Sequence, residues 1–465
     1  REEKTFELPE DCKSNDQFVF VYENDIDILV HERKIVEDFW KKKREQKNEI
    51  NKKSFYCLVS GEKISEVGLF PQIKNVPGGT SSGVGLVSFN KKAFTSYGLE
   101  KNENAPVSRF AAEACAKALN RLLNPSFPDP NNPGQNLPSR RYRLSSNTVV
   151  CFWSSKTTSD DFVNGFPDIM EASPADVKKV YHCIWKGETP PDIVASDFYA
   201  LTLSGAQGRV TIQDWFESTL EDVIENISQY FKDLKIVYNT PKPKKRDLPP
   251  QMPLTVLLRS IATLGKSDEI PPHIASQMMR AALSGKRYPL TVLHRALERM
   301  RAEIGKDGWP DMQRRDARAA LIKAILNRNK LTEKEVKPKM DTENKNPGYL
   351  LGRVLAVIEL TQLRALGDIN ATVIDRYFSG ASASPSTVFP RLLKNMRNHI
   401  RKMRDDDSKR GSAKWLDRIA DDILSDVKDF PAFLSLEQQG LFVLGYHHQR
   451  HWLWSKKEDR EEIKE

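Results

Sequence analysis

The densest set of side chains able to hold a metal is His447, His448 and His451. His447 and His451 stand four apart, a spacing that puts two imidazoles on one helical face. No Asp or Glu lies between them to act as a base, and no third ligand stands nearby in the sequence. A structural or RNA-facing role is therefore expected, and no metal. Acidic runs such as Asp405-Asp406-Asp407 and Asp421-Asp422 would serve a two-metal nuclease only if carboxylates converged on one centre. Both runs sit in highly charged stretches expected to be solvated. There is no GxxxxGK[ST] phosphate loop, no GxSxG elbow and no HExxH pair. The tract Gly78-Gly79-Thr80-Ser81-Ser82-Gly83-Val84-Gly85 is rich in glycine but lacks the lysine that would hold a β- or γ-phosphate. Gly83-Val84-Gly85 begins a dinucleotide fingerprint, but its third glycine is missing and Leu86 to Asn90 reads as a strand. These absences argue against an enzyme, and no cofactor is expected.

The same tract has the makings of a binding loop. Gly79 and Gly83 flank Thr80, Ser81 and Ser82, and Asn90, Lys91 and Lys92 follow. Glycine tolerates positive φ and close approach of another chain. Amides and hydroxyls bond phosphates or base edges at little steric cost. The same residues also fit an ordinary hairpin loop, so both readings stand. A second set of candidates is cationic. Lys286 and Arg287 occupy a turn before Tyr288-Pro289, and Arg295, Arg299 and Arg301 follow on the next helix. Arg391, Lys394, Asn395, Arg397, Asn398, Arg401 and Lys402 recur along one helix, while Val388, Leu392, Met396, His399 and Met403 lie largely elsewhere around it. Such a stripe suits the backbone of a paired or displaced DNA strand, because cations there release counterions without sequence choice. It equally describes a solvated basic face. Tyr446, Trp452 and Trp454 either stack bases or are buried in the last helix.

The elements that carry these residues fall into two kinds. A chain of 465 residues exceeds one ordinary core, so two or three domains are expected. With 39% hydrophobic and 29% charged residues, the chain is globular rather than disordered. A net charge of +9 permits a polyanionic partner without demanding one. No apolar run is long enough to span a bilayer and no signal-peptide pattern opens the sequence. Cys12, Cys57, Cys115, Cys151 and Cys183 are scattered, with no CxxC pair, which fits a reducing cytoplasm and mostly buried thiols. Arg1 rather than Met comes first, so a preceding segment is expected.

Gln17 to Tyr22, Ser54 to Val59, Thr148 to Trp153 and Asp197 to Leu203 read as strands. Val30 to Gln46, Ser108 to Leu123 and Trp215 to Phe231 read as helices, the second capped by Ser108 or Asn104. The proline-rich basic stretch 241–250 reads as a linker. Beyond it the period is helical at Leu254 to Leu264, His273 to Leu283, Leu290 to Ile304, Asp311 to Asn327, Tyr349 to Leu366, Ala371 to Phe378, Val388 to Met403, Trp415 to Val427 and Ser435 to Trp454. The expectation is an α+β protein: a mixed α/β region over 1–240, then an all-helical bundle, divided into 251–339 and 340–465.

Four stretches carry a resemblance. The first is Gly78 to Asn90 with Lys91 to Gly98 and Asn104 to Ser108. The second is Asp197 to Leu203 leading to Gly208-Arg209-Val210. The third is Ile369 to Phe378, which includes Arg376, with Ala381 to Leu393. The fourth is Phe430 to Gln449. In this order, from about residue 55 to 450, they resemble the large subunit of the type I-C CRISPR surveillance complex, Cascade. The resemblance implies a cytoplasmic, prokaryotic, non-catalytic subunit of an antiviral complex. Its partners would be a CRISPR guide RNA, target duplex DNA with its displaced single strand, Cascade backbone and small subunits, and a separate helicase-nuclease. Base pairing would read the target while protein reads a protospacer-adjacent motif. The DNA-contacting residues would be Gly79, Thr80, Ser81, Ser82, Gly83, Asn90, Lys91, Lys92, Lys286, Arg287, Arg376, Arg391, Lys394, Arg397 and Arg401. The resemblance also implies a separate small subunit started internally, placed at Met340. The rival expectations are a metal-dependent nuclease and a scaffold that touches nucleic acid little.

Overall fold

The computed structural model describes residues 19–22, 25–46, 54–95, 97–129, 132–155, 160–171, 196–241, 252–305, 308–367 and 369–455. Cys12, Cys183, most of the expected linker and the start of the first expected strand lie outside these residues. The chain forms two compact units, one of residues 1–71 with 87–117, the other of 72–86 with 118–465.

In the first unit, β1 (Val21–Tyr22) and β2 (Asp25–Leu29) pair antiparallel. The following helix, α1 (Lys34–Gln46), begins later than its apolar pattern suggests, because Val30–Glu32 forms a 3-10 turn. Its apolar residues Ile35, Phe39 and Trp40 are exposed. β3 (Phe55–Tyr56) pairs with β4 (Lys63–Ile64). A small core gathers Cys57, Val107 and Ala112. Here α2 (Arg109–Leu123) begins, capped by Ser108, whose Oγ accepts from the Ala111 amide at 3.2 Å.

The second unit is built on a sheet. A short pair, β5 (Phe127–Pro128) and β6 (Asn136–Leu137), precedes β7 (Arg141–Arg143), β8 (Thr148–Ser154), β9 (Asp197–Ala206) and β10 (Arg209–Thr219). The last four form one antiparallel sheet in the order β10-β9-β8-β7. Gln207 and Gly208 both take positive φ, as a two-residue hairpin turn requires. One stretch expected as helix is corrected. Trp215 to Thr219 is strand, held by the long β9–β10 pairing, and the helix starts only at Leu220. Thr219 caps it by accepting from the Asp222 amide, and Glu221 and Asp222 supply the acidic first turn. Phe216 and Leu220 fit either period, which is why the boundary is blurred in the sequence. A helix not expected, α3 (Asp160–Met170), packs Phe162 and Phe166 under the sheet.

Helices follow: α4 (Leu220–Leu234), α5 (Leu254–Ser260), α6 (Pro272–Ser284), α7 (Leu290–Glu303), α8 (Trp309–Arg328), α9 (Pro347–Leu366), α10 (Val373–Ala383), α11 (Pro385–Arg404), α12 (Arg410–Leu424) and α13 (Leu436–Trp454). The fold is α+β with a mostly helical C-terminal region. α5 stops short of Leu264, where a positive φ of 54° breaks the helical path. One hydrophobic core runs from Val150 and Phe152 through Tyr230, Met278 and Leu321 to Val354 and Phe442. At its centre α9 and α13 cross backbone to backbone. A Cβ on Gly352 would lie 2.0 Å from the Phe442 carbonyl oxygen, and one on Gly445 2.0 Å from that of Tyr349. Glycine is required there because nothing larger fits. Among the described residues no helix is long and apolar enough to cross a membrane.

Candidate nucleic-acid interface

The α11 helix sorts its side chains cleanly. Phe389, Leu392, Met396, Ile400 and Met403 are buried, and Arg391, Lys394, Asn395, Arg397, Asn398, Arg401 and Lys402 are exposed. The cations at 391, 394, 397 and 401 recur at three- and four-residue steps, so they share one face. Arg401 donates to Asn398 Oδ1 at 2.7 Å, and Arg391 sits 5.9 Å over the Tyr377 ring. At the helix end Arg404 is neutralised by Asp417. Lys394, Arg397 and Lys402 have no carboxylate within 4 Å among the described residues. Half-buried His399 has its pKa lowered by burial and then by the nearby Lys402 charge. The stripe is thus a field of positive charge with few internal counterions, mounted on a packed helix. Arg376 is exposed on α10, one residue before the Tyr377 that Arg391 covers.

The glycine-serine tract is divided between the two units. Its first part is a tight loop: Thr80 Oγ1 donates to the Gly83 carbonyl at 2.5 Å, and the Gly79 and Gly83 amides close turns onto Val76 and Thr80. Ile73 pairs with Val84, and Gly85 bonds to β10 through the Gly208 carbonyl and the Val210 amide. Gly78 lies so close to β9 that a Cβ would meet the Gly205 carbonyl oxygen at 2.7 Å. The close approach that glycine permits is therefore made, at Gly78, to this protein's own sheet. Thr80, Ser81 and Ser82 are exposed at the loop tip. Leu86 to Asn90, expected as a strand, forms none: the single bridges of this stretch fall just before it, at Val84 and Gly85. Asn90, Lys91 and Lys92 belong to the other unit, with both lysines exposed beside a 3-10 turn.

Lys286 and Arg287 are exposed in the turn after Gly285, which ends α6 in the left-handed region. Not all basic residues of the helical half face outward. Arg301 donates to Ser382 Oγ at 3.1 Å and Gln439 Oε1 at 2.6 Å, and burial lowers its pKa. Arg299 is held by Glu298 and Glu303. Arg301 ties α7 to α10 and α13, while Arg299 is neutralised within α7 itself, and together they leave the expected cationic face of α7 incomplete.

The histidine cluster is internal. His447 Nε2 donates to the Val237 carbonyl at 2.8 Å and Nδ1 accepts from Asn239 at 3.1 Å. His448 Nδ1 and the Tyr349 hydroxyl share a hydrogen bond at 3.0 Å. Burial lowers the pKa of both, and for His448 the charges of His447, His451, Lys323 and Arg353 lower it further. Among the described residues no group of three or more His, Cys, Asp or Glu could hold a metal. Asp405, Asp407, Asp421 and Asp422 are exposed. Tyr446 and Trp452 are buried, while Trp454 is partly exposed and lies under Arg450.

One cluster escaped the sequence reading. Trp153, Tyr199 and Trp215 stand on neighbouring strands and touch ring to ring, with centroids 5.5 to 5.9 Å apart. Three scattered aromatics signal nothing until strand register places them together; the helical reading of Trp215 hid the register.

The fold and these surfaces define an α+β protein whose helical region presents a basic face. A family model described as CRISPR-associated protein (Cas_Csd1) matches residues 1–454. No curated protein matches the chain. The chain belongs to the Cas_Csd1 family, the large subunit of the type I-C Cascade complex of antiviral defence. A guide RNA and other Cascade subunits are its implied partners.

Proposed function

We propose that this chain is the non-catalytic subunit that reads the protospacer-adjacent motif in duplex DNA, helps open the target and stabilises the R-loop, then recruits a separate helicase-nuclease. The observation that carries the DNA-binding part is the α11 stripe, whose cations have few internal partners while the opposite face packs into the core. Exposed Ser81 and Ser82 would act as a second contact in their unit, Lys91 and Lys92 as a separate one in theirs, and Lys286, Arg287 and Arg376 as further phosphate ligands. Replacing Arg391, Lys394, Arg397 and Arg401 together by alanine in the reconstituted complex tests this. Target affinity should fall, and the slope of log affinity against log salt should flatten by up to about 0.9 per lost phosphate contact. Unchanged affinity across several salt concentrations would overturn the stripe. Bulky residues at Ser81 and Ser82 should alter motif discrimination. Incubation of the purified chain with Mg²⁺ and labelled DNA should give no cleavage; cleavage would refute the non-catalytic role.

The division at 241–250 and at Met340 belongs to the same proposal. α9 to α13 pack chiefly on one another, which supports a separable module beginning at Met340. Cooperative melting of residues 340–465 expressed alone would be its signature.

A further inference from the structure

Away from the stripe, a cleft of about 780 Å³ opens between α9, α12, the end of α13 and the loop that follows Met340. Its floor holds Arg353. This side chain is only 8% exposed, and its Nε donates to Gln449 Oε1 at 3.0 Å. No carboxylate lies within 4 Å of it among the described residues. Burial depresses its pKa, as expected for a cation out of water without a close counterion. Arg364 and Arg418 line the same cleft. Arg364 rests 5.5 Å over the Trp415 ring and bonds Ser412, again with no carboxylate within 4 Å among the described residues. Two acids also line the space. Asp426 is taken up by Lys345, which leaves Asp422 against three arginines. The remaining wall is apolar: Trp415 and Trp452 stack with centroids 6.1 Å apart, and Ile419 stands on the same helix as Trp415.

We propose that this cleft binds a nucleotide, with its phosphate on Arg353, Arg364 and Arg418 and its base along the wall of Trp415, Ile419 and Trp452. Guanidinium forks match phosphate oxygens in pairs, and a buried arginine without a counterion gains most from an incoming anion. The flat indole wall suits a planar base better than it suits a bare anion. The ligand comes either free or as one residue of a single strand. The site is independent of the stripe, so failure of either leaves the other intact.

Titration calorimetry on the full chain tests it with three probes: AMP, a short 5′-phosphorylated oligothymidylate, and inorganic phosphate. AMP or the oligonucleotide should bind, and the double substitution R364A/R418A at the exposed rim should weaken that binding by about tenfold or more. R353Q should weaken it further, and the rim variant keeps the test valid if R353Q fails to fold. The alanine variant of the α11 stripe should bind AMP as the unaltered chain does. An oligonucleotide about tenfold tighter than AMP identifies a strand as the source, and equal affinity identifies a free nucleotide. Absence of binding by both probes, binding untouched by R364A/R418A, or inorganic phosphate binding as well as AMP would each overturn the proposal.

Discussion

Cations inside the helical region and cations on α11 play opposite parts. Arg318 is 1% exposed; its Nη2 meets Glu303 Oε2 at 2.5 Å and its Nε donates to the Ser260 carbonyl. Glu303 is itself buried and also accepts from the Leu264 amide, so one ion pair binds α5, α7 and α8. Along α11 the same residue type stands in water with little inside the protein to neutralise it. A buried arginine is fixed by the groups that must compensate it, and its removal is a structural event. An exposed one carries little folding energy and remains available to something outside.

Substitutions sharpen this contrast. The largest effect is expected for Glu303→Gln, which leaves Arg318 charged and uncompensated and should cost about 3–5 kcal/mol by denaturant unfolding. Gly352→Ala comes next, because a methyl group cannot enter the α9–α13 crossing; a loss of about 1–3 kcal/mol or more is expected from the same measurement. The buried histidines give a pH-dependent effect. With folded pKa values below the unfolded value, His447 and His448 contribute full stability above about pH 6.5. That stability is lost as pH falls below it, because the unfolded chain takes up protons the fold resists. The loss is at most about 1.4 kcal/mol per pH unit for each proton. His448→Phe should therefore reduce the drop in Tm between pH 7 and pH 5. Smallest of all, alanine at Arg391, Lys394, Arg397 or Arg401 should shift stability by no more than about 0.5 kcal/mol each. A large loss there would place those cations in the structural class and break the comparison.

The difference between the two classes decides what was legible in the sequence. On α11 the apolar period separates core from surface, so the exposed face could be read from spacing. On α13 Gly440 to Gln449 is buried without a break, so the pattern has no polar side to reveal. His447, His448 and Gln449 then look like surface chemistry in sequence although they are interior partners of Asn239, Tyr349 and Arg353. The helix boundaries of the second half were readable because Gly, Pro and capping residues punctuate them, as Ser435 does by accepting from the Gln438 amide. The strand at Trp215 was not, because its partner residues lie across a hairpin and its apolar spacing continues into α4. The cleft was invisible for the same kind of reason: Arg353, Arg364, Trp415 and Trp452 come from three helices, and no local pattern joins them.

The crossing of α9 and α13 limits how this molecule can respond to a load. Packed helices usually slide past one another on a cushion of side chains, which lets them shift in small steps. Here the backbones touch at Gly352 and Gly445 and leave no such cushion, so translation or rotation of one helix drives it into the other. The pair behaves as a keyed joint. Any rearrangement of the helical region must leave that joint closed and find its hinge elsewhere in the chain.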